Sequence, residues 1–229
     1  MKKFNKKFWS IEIYNQISYN IMQEKFNKII NENIKPYLKL NGFVKKGTNF
    51  YKSNNDLMFV INFQKSQGNT SHQTKFYINC GIHSNLINKV IGENETTHPK
   101  EYECHFRCRI SSIIQSQTEY YYITEETNIE NLSNIITSDL NSAIHMFDEI
   151  QSINDLTDLM IDKNGLENYR ELFEFLLLSN NKKDLKKFIQ QLYNSFGNEK
   201  RWIIFERNLN EILLENNIQK TINDILNIK

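Results

Sequence analysis

The chain of 229 residues carries 28 basic and 27 acidic side chains, so its formal net charge is only +1. This balance excludes a globally basic nucleic-acid binder, although it is compatible with a local basic patch. With two prolines and seven glycines, the chain is expected to be mostly regular structure, and its length can bury a core without a metal or a disulfide framework.

The first predicted element is a helix over residues 10–40. Pro36 is expected to kink this helix or to open a second, shorter one, and Gly42 lies where a left-handed cap belongs. Apolar residues at spacings of three and four predict its buried stripe, which consists of Ile17, Ile21, Met22, Phe26, Ile29 and Ile30.

An antiparallel sheet of about five strands is predicted to follow this helix, because short β-prone runs alternate with turn residues. Residues 53–56 favour a hairpin turn, whereas residues 84–101 are predicted to form an irregular loop. The predicted strands are residues 49–52, 57–66, 75–83, 103–110 and 119–124.

From Asn128, a good N-cap, the apolar pattern becomes helical. The first stripe comprises Ile129, Leu132, Ile135, Ile136, Leu140, Ile144, Phe147 and Ile150. Later helices are predicted over residues 155–161, 166–178, 184–196 and 199–215. The first of them is expected to stop near Asn164 and Gly165, and Gly197 is expected to end the third. The last is followed by a weak helical tail to residue 226.

This order of elements predicts an α+β fold, with an N-terminal helix, an antiparallel sheet in meander order and helices packed on one face. We predict an α+β domain over residues 1–165. Residues 166–229 are predicted to form a C-terminal helical extension on the same core.

Four segments carry a family resemblance. GFVKKGTNFY at residues 42–51, VINFQKS at 60–66 and FYINCGI at 76–82 occur in this order, and CHFRCRI follows at 104–110. Together they resemble the bacterial family described as domain of unknown function 4304, over residues 22–150 and more loosely beyond residue 166. The resemblance implies the same fold. The family has no established activity. The resemblance implies that some relatives occur in bacterial toxin–immunity neighbourhoods.

Strand parity sorts the sheet into two faces, because successive side chains point to opposite sides. One face is expected to be apolar, to hold Cys80, Cys104 and Cys108, and to be covered by helices. The other is expected to be polar and at least partly open. It is either ordinary solvated sheet surface or a binding surface, since neighbouring amides and arginines are directional and guanidinium suits carboxylate or phosphate. Its candidate binding residues are Asn62, Gln64, Asn79, His105, Arg107 and Arg109.

No metal site, cofactor or catalytic residue is predicted. Cys80 and His83 point to opposite faces by parity, and Cys104 and Cys108 would lie ~13 Å apart, too far for one tetrahedral zinc ion. Asp56 is the only acid between Gly42 and His83, and neither a nucleophile elbow nor a glycine-rich phosphate loop is present.

A cytoplasmic protein without a membrane association is expected. The three cysteines are an odd number, which indicates a reducing compartment rather than a disulfide framework. The basic residues 1–9 are not followed by the apolar region of a signal peptide, and no run reaches the ~18 apolar residues of a membrane span.

We expect a non-enzymatic module that binds a protein partner through the polar sheet face or the acidic helices. The most concrete version of this hypothesis is an immunity-type inhibitor of a toxin. One alternative is a nucleic-acid-binding accessory protein, in which basic residues alternate with Phe50, Tyr51 and Tyr77 for base stacking. Another is an enzyme whose unrecognised site joins Gln64, His105 and a carboxylate such as that of Glu103.

Overall fold

The order of helices and strands is that of the predicted α+β fold. The computed structural model describes residues 4–163 and 167–226, with side chains from residue 16 onward. An N-terminal helical segment precedes a six-stranded antiparallel sheet, and helices follow it. The strands are β1 Val44–Lys46, β2 Asn49–Asn54, β3 Leu57–Lys65, β4 Gln73–Ser84, β5 Phe106–Arg109 and β6 Tyr121–Thr124.

The long N-terminal helix consists of three consecutive segments, α1 Phe4–Lys28, a π-helical segment Ile29–Ile34 and α2 Lys35–Leu40. Pro36 lies in the first turn of α2, where a proline is tolerated. Gly42 has the predicted left-handed conformation, with φ of +85°.

The predicted stripe of α1 is wrong at its N-terminal end. Ile17 and Ile21 are 52% and 37% exposed, whereas the rest of the predicted stripe, Met22, Phe26, Ile29 and Ile30, is buried. One turn earlier the buried residue is Ser18, whose hydroxyl donates to Glu125 over 2.8 Å.

The sheet confirms the predicted hairpin and extends it. Asn55 and Asp56 connect β2 and β3, and Asn55 takes a left-handed φ of +52°. Strands β1 to β5 are neighbours in chain order, and β1 is an additional edge strand that was not predicted. The last strand departs from the meander order, because β6 pairs with β4 and not with β5. This is possible because β5 pairs only with residues 79–82 of β4 and leaves the first part of that edge free for β6.

The segment predicted as an irregular loop contains a helix, α3 Asn85–Ile91. The Ser84 side chain accepts a hydrogen bond from the Ile87 N–H, and Gly92 ends the helix at φ of +81°. Both end signals are present in the sequence. After α3 the chain returns across the polar side of the sheet through a 3-10 turn, Glu101–Glu103.

Helices α1 and α5 cover the apolar face of the sheet. After the short helix α4 Ile110–Ile113, α5 Ile129–Glu149 begins at the predicted N-cap, Asn128. The Phe147 ring lies 5.0 Å from that of Phe59, and the ring of Phe26 lies 5.2 Å from that of Phe76 on β4. Ile135 is 47% exposed and so does not belong to the buried stripe predicted for α5.

The C-terminal helices belong to the same continuous cluster of buried apolar residues as the sheet, through side chains such as Phe173 and Phe188. Residues 164–166 are outside the described residues, and they include the predicted domain boundary and the predicted stop at Asn164 and Gly165. The division into two units therefore stays a prediction. None of the helices in the described ranges combines the length and the apolar character needed to cross a membrane. The helices are α6 Ile153–Asp162, α7 Tyr169–Leu178, α8 Lys182–Phe196, α9 Trp202–Glu215 and α10 Ile222–Leu226.

Cys104 lies on the opposite side of the sheet from the other two cysteines, contrary to the prediction. Cys80 is paired in register with Cys108, whereas Cys104 packs with Tyr51 and Val60. The alternation of β5 does not extend back to Cys104, because residues 101–103 form a 3-10 turn and not a strand. Gly81 makes room for this packing, since a Cβ there would lie 2.6 Å from the Cys104 sulfur.

Gly81→Ala is therefore expected to lower the free energy of unfolding by about 1–3 kcal/mol, because the new methyl group overlaps Cys104. Urea denaturation measures this change. Gly68→Ala is the matched control, because a Cβ at Gly68 would meet only the Ser66 hydroxyl at 3.9 Å. Cys104→Gly in the Gly81→Ala background is expected to restore part of the loss. Equal stability of the two glycine variants would contradict this packing.

Candidate functional site

The polar side of the sheet is divided into a covered half and an open half. In the covered half, Tyr51 and Val60 are buried with Cys104, and the ring of His98 lies 5.1 Å from that of Tyr51. The other half keeps partly exposed side chains from β3, β4, β5 and the region of β6. We call this half the open face; it comprises Asn62, Gln64, Lys75, Tyr77, Asn79, Arg107, Arg109, Tyr120 and Tyr122.

A ladder of amide side chains crosses the open face. Asn62 and Asn79 are directly opposite in the β3–β4 register. The Asn79 amide nitrogen donates to Asn62 Oδ1 over 3.2 Å and to Gln64 Oε1 over 2.8 Å. Asn62 in turn donates to Asn49 Oδ1 on β2 over 2.5 Å. Three strands are thus linked by side-chain hydrogen bonds, and Asn79, only 5% exposed, is held at the centre.

Two arginines border this ladder on β5. Arg109 lies opposite Asn79, and its guanidinium carbon is 4.0 Å from the centre of the Tyr77 ring. Its Nε lies 3.4 Å from a Glu119 carboxylate oxygen. Arg107 lies opposite Gly81 and forms an ion pair with Glu167. Both guanidinium groups are partly exposed and already have carboxylate neighbours, so they contribute hydrogen-bond donors without a large uncompensated charge.

Tyrosines complete the open face beyond the residues that the sequence predicted. The ring centres of Tyr120 and Tyr122 are 4.8 Å apart, and the Lys75 ammonium lies 3.8 Å from the Tyr120 ring. Tyr77 is 6.2 Å from Tyr120. Parity along β4 places Lys75 beside Tyr77, and this signal was available in the sequence. The contribution of Tyr120 and Tyr122 depends on the pairing of β6 with β4.

His105 lies apart from the other five predicted binding residues. It is buried, its Nδ1 accepts from the Ser84 N–H over 3.1 Å, and its Nε2 therefore carries the proton and donates to Asn88 Oδ1 over 3.0 Å. Burial, and then the neighbouring His83, lowers the pKa of His105 to about 3. A neutral, fully hydrogen-bonded imidazole cannot act with the arginines in binding an anion.

The enzyme alternative needed Gln64, His105 and Glu103 in one pocket, and the structure separates them. His105 and Glu103 line a cavity of about 670 Å3 beside α3. Gln64 lines a different, shallower depression of about 240 Å3 on the open face, together with Arg107 and Arg109. The three residues therefore cannot contact one small substrate.

The cysteines lack the properties of nucleophiles or metal ligands. Burial raises the pKa of Cys108 to about 12 and also raises the pKa of Cys80 and Cys104 well above the ordinary thiol value, so the thiols remain protonated near neutral pH. Within residues 4–163 and 167–226, no group of three or more His, Cys, Asp or Glu side chains is arranged to hold a metal ion.

The lowered pKa of His105 predicts an acid-sensitive fold. In the unfolded chain a histidine takes up a proton near pH 6.5, whereas folded His105 does so near pH 3, so stability is lost as the pH falls through this window. We expect the free energy of unfolding to be up to about 3 kcal/mol lower at pH 4 than at pH 7 because of this group.

Urea denaturation of the wild-type protein and of His105→Gln at several pH values tests this expectation. The variant should lack the part of the pH dependence that His105 contributes. His145→Gln, at an exposed position on α5, is the matched control and should keep the wild-type slope. The assignment is refuted if His105→Gln also keeps the wild-type slope.

A comparison with protein families supplies one match. The family model described as "Domain of unknown function (DUF4304)" matches residues 34–149, slightly over half of the chain. The matched segment extends from the end of the π-helical segment to the end of α5 and contains the whole sheet. Neither the curated proteins nor the solved structures contain a match to the chain.

Proposed function

The chain belongs to the DUF4304 family of domains of unknown function, and we propose that this member is a non-enzymatic module whose open face binds a protein partner. The observation that carries the proposal is the concentration of tyrosine, arginine and amide side chains on one half of a rigid sheet. Tyrosine and arginine are the residue types enriched at the centres of protein interfaces.

The amide ladder supports recognition of a polypeptide. Asn62 and Gln64 are fixed by hydrogen bonds to Asn79; Asn62 remains half-buried and Gln64 is exposed. Each amide offers both a donor and an acceptor, which matches the peptide groups of a partner. Because these side chains are already ordered before binding, less conformational entropy is lost on association.

The charges of the open face favour a protein over a nucleic acid. Arg109 and Arg107 are paired with Glu119 and Glu167, so phosphates would have to compete with carboxylates. Lys75 and Arg109 already lie over the Tyr120 and Tyr77 rings, where bases would stack. Of the other two aromatic residues expected to stack bases, Phe50 is 1% exposed in the core and Tyr51 is covered.

The most concrete version of the proposal is an immunity-type inhibitor that binds a toxin in the bacterial cytoplasm. The family resemblance motivates this version. A stable sheet surface of tyrosines, arginines and amides suits tight binding to one partner, because the side chains do not have to rearrange.

We expect Tyr122→Ala and Arg109→Ala each to weaken binding of the partner by ten- to a hundredfold, because truncation of a central tyrosine or arginine at an interface costs about 2 kcal/mol or more. Affinity capture from the native host, read by quantitative mass spectrometry, identifies the partner. Titration calorimetry then measures its affinity for each variant.

Tyr19→Ala on α1 is the matched control, because Tyr19 is 46% exposed and Tyr122 is 40% exposed. The proposal fails if the open-face variants keep wild-type capture, or if Tyr19→Ala loses the partner to the same extent. It also fails if the captured material is nucleic acid whose affinity falls steeply with salt, as phosphate contacts require.

A further inference from the structure

We propose that the depression on the open face receives one side-chain carboxamide, of an asparagine or a glutamine, from the protein partner. This rests on the proposed function, since it names the group that the partner brings to the open face. The depression has a volume of about 240 Å3. Sites for whole small molecules occupy ~300–1,000 Å3, so this depression is of a size for a single side chain. Its polar lining residues are Gln64, Asn79, Glu101, Arg107, Arg109 and Glu167.

The charges of these lining residues balance. Arg107 and Arg109 come from β5, where alternate residues point to the same side of the sheet. Glu101 and Glu167 supply two carboxylates against the two guanidinium groups. A neutral group can therefore enter without leaving an unpaired charge. An incoming carboxylate would be repelled by the two glutamates, and an incoming ammonium by the two arginines.

One donor of Arg109 has no acceptor. The Nε of this residue lies 3.4 Å from a Glu119 carboxylate oxygen, and its Cζ lies 4.0 Å from the centre of the Tyr77 ring. Its Nη1 is buried and has no hydrogen-bond partner in the part of the chain that the structure describes. Buried polar groups in folded proteins are normally hydrogen-bonded, so this donor indicates an acceptor that arrives with a ligand.

The Glu101 carboxylate is an acceptor that lacks a donor. It is half-buried at the start of the 3-10 turn Glu101–Glu103, which crosses the polar side of the sheet. Burial raises the pKa of Glu101, and the attraction of Arg107 does not offset this effect. Among the described residues, neither a hydrogen bond nor an ion pair joins this carboxylate to another side chain. A donor from the partner would stabilise its charged form.

The amide ladder gives the depression a preformed wall. Asn79 is only 5% exposed, and its amide nitrogen donates to Asn62 and to Gln64, the latter over 2.8 Å. An entering side chain therefore meets groups that are already ordered, and less conformational entropy is lost when it binds.

A carboxamide matches the charge of the lining and both of its unmatched groups. It is uncharged, its oxygen accepts hydrogen bonds and its nitrogen donates two. The oxygen complements Arg109 Nη1, and the nitrogen complements the Glu101 carboxylate. A carboxylate has no donor for Glu101, and an ammonium has no acceptor for Arg109. The lining therefore selects an amide over either charged group.

Titrations of the full chain with butyramide, butyrate and butylammonium at neutral pH test this selection, because the three probes share one alkyl chain and differ in the head group. NMR spectra of the isotope-labelled protein follow the amides of Gln64, Asn79 and Arg109. We expect butyramide to shift these signals saturably, with a dissociation constant in the millimolar range that suits so few atoms. Butyrate and butylammonium should bind there more weakly, by roughly threefold or more.

Glu101→Gln is expected to reverse the preference between butyramide and butyrate. Its lining has a net positive charge, so butyrate should bind more tightly than butyramide, by roughly threefold or more. Glu174→Gln is the matched control. Glu174 is also half-buried and burial also raises its pKa, but it lies on α7, outside the depression. This control variant should keep the wild-type preference.

The carboxamide site is overturned if butyramide causes no saturable shift of these amides, or if either charged probe binds the wild-type protein as tightly as butyramide. It is also overturned if Glu101→Gln keeps the wild-type preference or if Glu174→Gln reverses it. Should Glu101→Gln not fold, the comparison of the three probes on the wild-type protein still decides.

Failure of the carboxamide site is distinguishable from failure of the protein-binding proposal, because these titrations need no partner. Loss of the partner in Tyr122→Ala together with a negative butyramide titration would reject the carboxamide and retain the open face as the interface. Wild-type capture by the open-face variants together with a positive titration would give the opposite result.

Discussion

The arrangement of this protein depends on the pairing of one strand, β4, along both of its edges. This strand of twelve residues pairs with β3 on one side and with β5 and β6 on the other. Its alternation separates Phe76, Ile78, Cys80 and Ile82, which face the core, from Lys75, Tyr77 and Asn79, which belong to the open face. A shift of register by one residue would reverse this assignment and expose the core side chains.

The return of the chain after α3 converts one polar sheet surface into two distinct environments. Close packing of Cys104 over Gly81 covers Tyr51 and Val60 and draws the histidines into a buried network. The imidazoles are largely buried there, so charge is disfavoured, as the lowered pKa of His105 indicates. On the open half, the arginines and Lys75 are partly exposed, and Arg109 and Lys75 contact Glu119 and the tyrosine rings.

The two environments differ in charge for one physical reason, the distribution of carboxylates. Glutamates beside β5 and β6 neutralise the arginines of the open face, which leaves a surface dominated by hydrogen bonds and aromatic rings. The glutamates around the α3 cavity have no such arginine partners among the lining residues that the structure describes. The open face and the α3 cavity therefore differ in charge, although both lie on the polar side of the sheet.

The sequence by itself determined the helices, the β2–β3 hairpin, and the shared face of Asn62, Gln64 and Asn79, because these follow from local periodicity and from parity within continuous strands. It also contained the capping residues of α3, Ser84 and Gly92, although the segment reads as a loop. Only the tertiary structure decided that β6 returns to β4 and brings Tyr120 and Tyr122 beside Tyr77. It likewise decided the face of Cys104 and the burial of His105. Parity does not extend across a 3-10 turn, and the pairing of strands distant in the chain is selected by packing of the whole molecule and not by any local pattern.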